Sequence, residues 1–139
     1  MPELENLKKK FLVNKGEYEK EKLPTLIEKA LAYCKVDNES GTVTIENSKL
    51  KNADKIKLVL VARFLANKLD AKISASVNAN ELTVSTGVTD KDVVYARMSE
   101  LIKQRVCFKK NDGYELYPYQ ASLVLDKLSL RYNEDQNAK

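Results

Sequence analysis

The sequence predicts an α+β fold that is mostly helical: a core of three helices closed by a β-hairpin, preceded by a helical extension with a smaller hairpin. Three observations carry this. Apolar residues recur at helical spacing from Leu23 to Cys34, from Ile56 to Leu69 and from Val94 to Leu101 and Ile102. Strand-forming residues flank two turn clusters, Asp37-Asn38-Glu39-Ser40-Gly41 and Lys110-Asn111-Asp112-Gly113. Glycine and proline number only 4 and 3 in 139 residues, so long helices meet few breakers.

Leu4, Leu7 and Phe11, with charges between them, predict a short amphipathic N-terminal helix that Gly16 interrupts before Tyr18. Glu17 to Lys22 is a mixed charge run and reads as a solvated face. Pro24 suits the first turn of a second helix, whose stripe is Leu23, Leu26, Ile27, Ala30, Leu31 and Cys34 and whose end lies near Lys35. Val43 and Ile45 alternate with Thr42, Thr44 and Glu46 as a strand, with Val36 in its partner. After a loop from Asn47, Asn52 or Asp54 can cap a third helix reaching Ala66 or Leu69. Ile56, Leu58, Val59, Leu60, Val61, Phe64, Leu65 and Leu69 cover more than one of its faces, which predicts the central packing helix. Ile73 to Val77 can supply a short strand that pairs with the later hairpin.

The stretch from Asn78 to Pro118 organises the rest. Gly87 tolerates the positive φ of a tight helix exit, and Thr89 follows as an N-cap candidate. Val94, Met98, Leu101 and Ile102, with the stem of Arg105, then form one helical face. Cys107-Phe108-Lys109 and Tyr114-Glu115-Leu116-Tyr117 flank a hairpin turn. In this order the segment resembles a winged helix-turn-helix of the archaeal and bacterial DNA-binding type. Glu81 to Thr86 corresponds to the first helix of the motif, residues 89–104 to the recognition helix and residues 107–117 to the wing. The Leu101-Ile102-Lys103-Gln104-Arg105-Val106 run matches the exit from recognition helix to wing. The resemblance implies a three-helix core beginning near Lys55, with duplex DNA as partner.

After the wing, Tyr117-Pro118-Tyr119 leads into a last helix with Leu123, Val124, Leu128 and Tyr132 at helical spacing and Leu125 widening the stripe. The expected organisation is a helical extension with a small hairpin over residues 1–54, the winged helix over 55–132 and a flexible polar tail over 133–139. A chain of this length buries one core more readily than two. The apolar windows are too short to span a membrane and the N-terminus has no secretory pattern, so a soluble cytoplasmic protein is expected. Cys34 and Cys107, far apart and outside any CxxC, read as buried reduced thiols.

Charge gives the hint about a partner. Residues 1–54 hold 10 basic and 10 acidic side chains, residues 55–113 hold 11 and 6, and residues 114–139 hold 3 and 4. The excess of +5 lies in the winged-helix segment, as phosphate neutralisation requires. With Val94, Met98 and Leu101 turned inward, Asp92, Ala96, Ser99 and Lys103 face out, flanked by Tyr95 and Arg97. Lys91, Tyr95, Ala96, Arg97, Ser99 and Lys103 are therefore the candidates on the helix, and Lys109 and Lys110 those on the wing; Lys72, Arg97 and Lys103 are secondary. Asp90 and Asp92 suit the helix dipole. Histidine is absent, no nucleotide-binding or nucleophile motif occurs, and neither catalysis nor a cofactor or metal is expected. The expected function is duplex DNA binding in transcriptional regulation, with a homodimer formed through the N-terminal or C-terminal helix. The alternative is a winged-helix module that binds protein within a larger complex.

Overall fold

The computed structural model describes residues 2–12, 15–47 and 49–133. Among them are six α-helices and two antiparallel hairpins. Helix α1 is Pro2–Phe11 and α2 is Lys15–Leu31. Gly16 and Pro24 therefore both lie inside α2, the glycine not separating the two helices and the proline well past the start. A single proline removes one hydrogen bond, and the Glu- and Lys-rich sequence on its N-terminal side favours helix. Of the mixed charge run, only the Lys22 side chain is among those described, and it is exposed.

Strands β1 (Cys34–Val36) and β2 (Val43–Ile45) pair with Cys34 opposite Ile45 and Val36 opposite Val43. Helix α2 thus stops at Leu31, and Cys34, expected at its end, is a strand residue that stays buried. The Asp37 carboxylate organises the turn by accepting the Ser40 N–H at 2.7 Å, the Ser40 hydroxyl at 2.8 Å and the Glu39 N–H at 3.2 Å. The Ser40 bonds hold the Asp37 carboxyl below its ordinary pKa. Gly41 closes the turn at φ 77°.

Helix α3 (Asn52–Leu69) is the centre of the molecule: Ile56, Leu58, Val59, Leu60, Val61, Phe64 and Leu65 are all buried, together with Ala62 and Ala66. Leu69 faces solvent. The other helices and both hairpins contribute to the cluster around α3, from Ala30, Tyr33 and Val43 to Leu125 and Leu128; α1 does not. Its N-terminus is not capped by Asn52 or Asp54. Lys51 is the N-cap residue, with no side-chain cap, and its N–H is accepted by the Tyr132 hydroxyl at 3.2 Å.

Asp54, buried in the first turn of α3, accepts the Tyr132 hydroxyl at 2.7 Å and Arg131 Nη1 at 3.0 Å on both oxygens. Burial and then the bond to Asp54 push the Tyr132 hydroxyl above its usual pKa. The donors come from a π-helical turn, Ser129–Asn133, that follows α6 (Gln120–Leu128). Val124, Leu125 and Leu128 of α6 enter the core, whereas Leu123 is exposed. The rest of the expected tail, residues 134–139, lies outside the described residues.

Candidate nucleic-acid interface

Helix α4 (Ala79–Thr86) is fixed at both ends by local chemistry. The Asn78 side chain accepts the Glu81 N–H at 2.8 Å while Glu81 accepts the Asn78 N–H at 3.3 Å, a reciprocal capping box. At the other end Gly87 takes φ 78° and its N–H bonds the Thr83 carbonyl at 3.0 Å. Helix α5 (Lys91–Lys103) starts two residues later than the sequence suggests. Asp90, not Thr89, is the N-cap, accepting the Asp92 N–H at 2.9 Å. A carboxylate also complements the helix dipole, which a threonine hydroxyl does not.

Val94, Met98 and Leu101 are the buried residues of α5. Ala96, Ser99 and Lys103, opposite that stripe, are exposed, and so are Lys91, Tyr95 and Arg97 on its flanks. With about 100° between successive residues, Tyr95 shares a flank with Lys91 and Ile102, and Arg97 shares the other with Val93 and Glu100. Burial raises the Tyr114 hydroxyl pKa, and the neighbouring Tyr95 and Cys107 add to the shift. Arg97 is committed on its own flank to Glu100, at 3.4 Å.

After α5 the chain reverses through Arg105, at φ 59°, whose carbonyl accepts the Tyr119 hydroxyl at 3.1 Å and Gln120 Nε2 at 3.3 Å. The hairpin expected as the wing is β3 (Cys107–Lys110) paired with β4 (Gly113–Leu116), Cys107 opposite Leu116 and Lys110 opposite Gly113. Its two-residue loop is Asn111-Asp112, with Asn111 at φ 55°. Gly113 therefore has another task than the turn. A Cβ there would collide with the Ser76 side chain and come within 3.0 Å of the Val77 carbonyl oxygen. Glycine lets Val77 bridge to Tyr114, through N–H to carbonyl bonds of 2.9 and 2.8 Å. The strand expected over 73–77 is reduced to this one bridge.

Arg63, which the sequence reading passes over, holds that bridge segment in place. Buried in α3, it donates to the Ser74 carbonyl at 2.7 Å and the Ser76 carbonyl at 3.1 Å, and it pairs with Glu81 of the capping box. Its guanidinium also lies under the first hairpin, 3.3 Å from where a Gly41 Cβ would stand. One side chain thus links α3, α4, the wing bridge and the β1–β2 turn. An arginine within an apolar run is the signal that could have found it, since a buried charge must be paired.

The two wing lysines differ. Lys110 lies 3.3 Å from Glu115, whose buried Oε2 has no hydrogen-bond partner, so the lysine serves as its counter-charge. Lys109, on the opposite face and across from Tyr114, is exposed. Among the described residues no acidic side chain pairs with Lys109, Lys91 or Lys103. Phe108 packs on Tyr117 with centroids 4.9 Å apart, and Tyr117 stacks on Tyr119 at 5.8 Å. Tyr117 and Tyr119 thus pack on one another, with Tyr119 exposed, while Tyr114 is buried in the core.

No family model, curated protein or solved structure matches this chain. Among the described residues there is no metal-binding cluster, and no helix is long and apolar enough to cross a membrane. Cys34 and Cys107 are free and buried, their thiols raised to about 12 and about 11, chiefly by burial. They are protonated at neutral pH and poor nucleophiles.

Proposed function

We propose that this protein is a winged helix-turn-helix protein that binds duplex DNA without catalysis, as a cytoplasmic regulator of transcription. The observation that carries the reading is the pairing of an exposed α5 face, bearing Lys91, Tyr95, Ala96, Ser99 and Lys103, with a hairpin whose Lys109 is uncommitted. In this reading α5 lies against the major groove, where Ser99 and Tyr95 can hydrogen-bond base edges and Ala96 permits close approach. Lys91, Lys103 and Lys109 neutralise phosphates. Arg97 and Lys110 contribute less, because each would first leave a carboxylate.

A second reading, a protein-binding winged helix, is favoured by one observation. Val84 on α4 and Val93 on α5 are exposed, and Asp90 and Asp92 stand at the N-terminal end of α5. Phosphates would be repelled there, while a protein partner could cover the valines.

Fluorescence anisotropy with a labelled duplex of about 30 base pairs, roughly three helical turns, separates the two. DNA binding predicts affinity that weakens with salt. Lys109→Ala lowers the salt slope by about 0.9, one phosphate contact, and Lys110→Ala by less. A folded protein that fails to bind at low salt would transfer the α4–α5 face to the protein reading.

A further inference from the structure

We propose that α1 is a self-association element that pairs antiparallel with α1 of a second copy of this chain. Helix α1 buries none of its residues. Leu4, Leu7 and Phe11 are 67%, 60% and 86% exposed, and their i, i+3, i+7 spacing sets them in one stripe. A lone helix of 10 residues is marginal in water. With no apolar support from its own fold, this one gains stability by covering the stripe.

The charges select the occupant. Glu3 and Glu5 stand in the first turn, and Lys8, Lys9 and Lys10 in the last. On the helical wheel Glu3 and Lys10 border the stripe on one side, while Lys8 borders it on the other with Glu5 behind. An antiparallel pair with its two-fold axis near Asn6 and Leu7 brings Glu3 beside Lys10 of the second copy and Glu5 beside Lys8. Leu7 then lies beside its counterpart, and Leu4 packs next to Leu7 of the second copy. The patch is self-complementary, as a two-fold interface demands. A parallel pair would set the two lysine-rich ends side by side and align the helix dipoles. The stripe is short, so the interface falls below the roughly 1,200 Å² of a standard complex. The dimer is correspondingly weak, with a dissociation constant on the order of 100 μM.

Sedimentation velocity of the full chain, from about 10 to about 1,000 μM, reads this directly. The wild type should shift toward dimer across that range, and Leu4→Glu/Leu7→Glu should weaken association by at least about tenfold. That variant keeps its thermal midpoint, because no core residue changes. For orientation, a Glu3→Cys chain mixed with a Lys10→Cys chain should give the crossed disulfide in excess of either self-disulfide, the native cysteines being buried. A chain that stays monomeric, an unaltered leucine variant, or a dominant self-disulfide of the Glu3→Cys chain overturns the proposal. So does a monomeric chain whose α1 binds vesicles of phosphatidylglycerol and phosphatidylcholine, which would assign the stripe to an anionic lipid surface.

Discussion

Arg63→Met removes the ion pair to Glu81 and the bonds to the Ser74 and Ser76 carbonyls while keeping an aliphatic stem in the core. Breaking a buried ion pair by deleting one partner costs about 3–5 kcal/mol. Glu81 is 36% exposed at its side chain and can rehydrate, which moves the cost to the low end. Ser74 is exposed and can recover a water; the Ser76 carbonyl, which is partly shielded, adds about 1 kcal/mol. The sum is about 4 kcal/mol, a fall in melting temperature on the order of 10 °C for a domain of this size. Urea unfolding followed by circular dichroism measures it, in a cycle with Glu81→Gln. Glutamine preserves the capping box, so the coupling of about 1–3 kcal/mol reports the ion pair and not the cap. Amide exchange at Val77 and Tyr114 should also accelerate, since their bridge hangs from the segment that Arg63 holds. A cost under about 1 kcal/mol, or additive single variants, would refute the linking role.

Gly113→Ala should cost about 1–3 kcal/mol by overpacking against Ser76 and the Val77 carbonyl, and amide exchange should show the Val77–Tyr114 bridge opening first. Tyr132→Phe removes a donor to buried Asp54 and the acceptor of the Lys51 N–H, for a loss of about 1–2 kcal/mol in urea unfolding. Alkali should destabilise the protein through its thiols. Below the ordinary thiol pKa of 9.0 both cysteines are protonated whether folded or not; above it the unfolded chain releases protons that the folded chain retains. Stability therefore falls from about pH 9 up to about pH 11 through Cys107 and up to about pH 12 through Cys34, with a limiting slope near 1.4 kcal/mol per pH unit for each thiol. Cys34→Ala should flatten urea midpoints compared at about pH 8 and pH 10.5, and an unchanged slope would contradict the burial argument.

Local pattern and tertiary arrangement divided the information in a consistent way. Helical periodicity made α3 and α5 legible to within a few residues, and alternation with turn residues made both hairpins legible, because these signals come from neighbours along the chain; α4, too short to show a period, was placed only by the winged-helix resemblance. Boundaries failed where two local options compete. Cys34 continues a helical stripe and also suits a strand; pairing with Ile45 decided for the strand. Thr89 and Asp90 are both cap residues, and only the backbone geometry chose Asp90.

By itself, the sequence determined the α+β class, the central place of the most apolar helix, and the exposure of Lys91, Tyr95, Ala96, Arg97, Ser99, Lys103, Lys109 and Lys110. Each follows from periodicity and the cost of burying charge. Only the tertiary structure decided which of those cations are uncommitted, since Glu100 and Glu115 meet Arg97 and Lys110 through folded geometry. It also decided why residue 113 is glycine, and that Arg63, Asp54 and Tyr132 hold distant segments together across 11 to 81 residues of chain. Contacts over such separations obey no local period, because they form where packing has already brought the partners together.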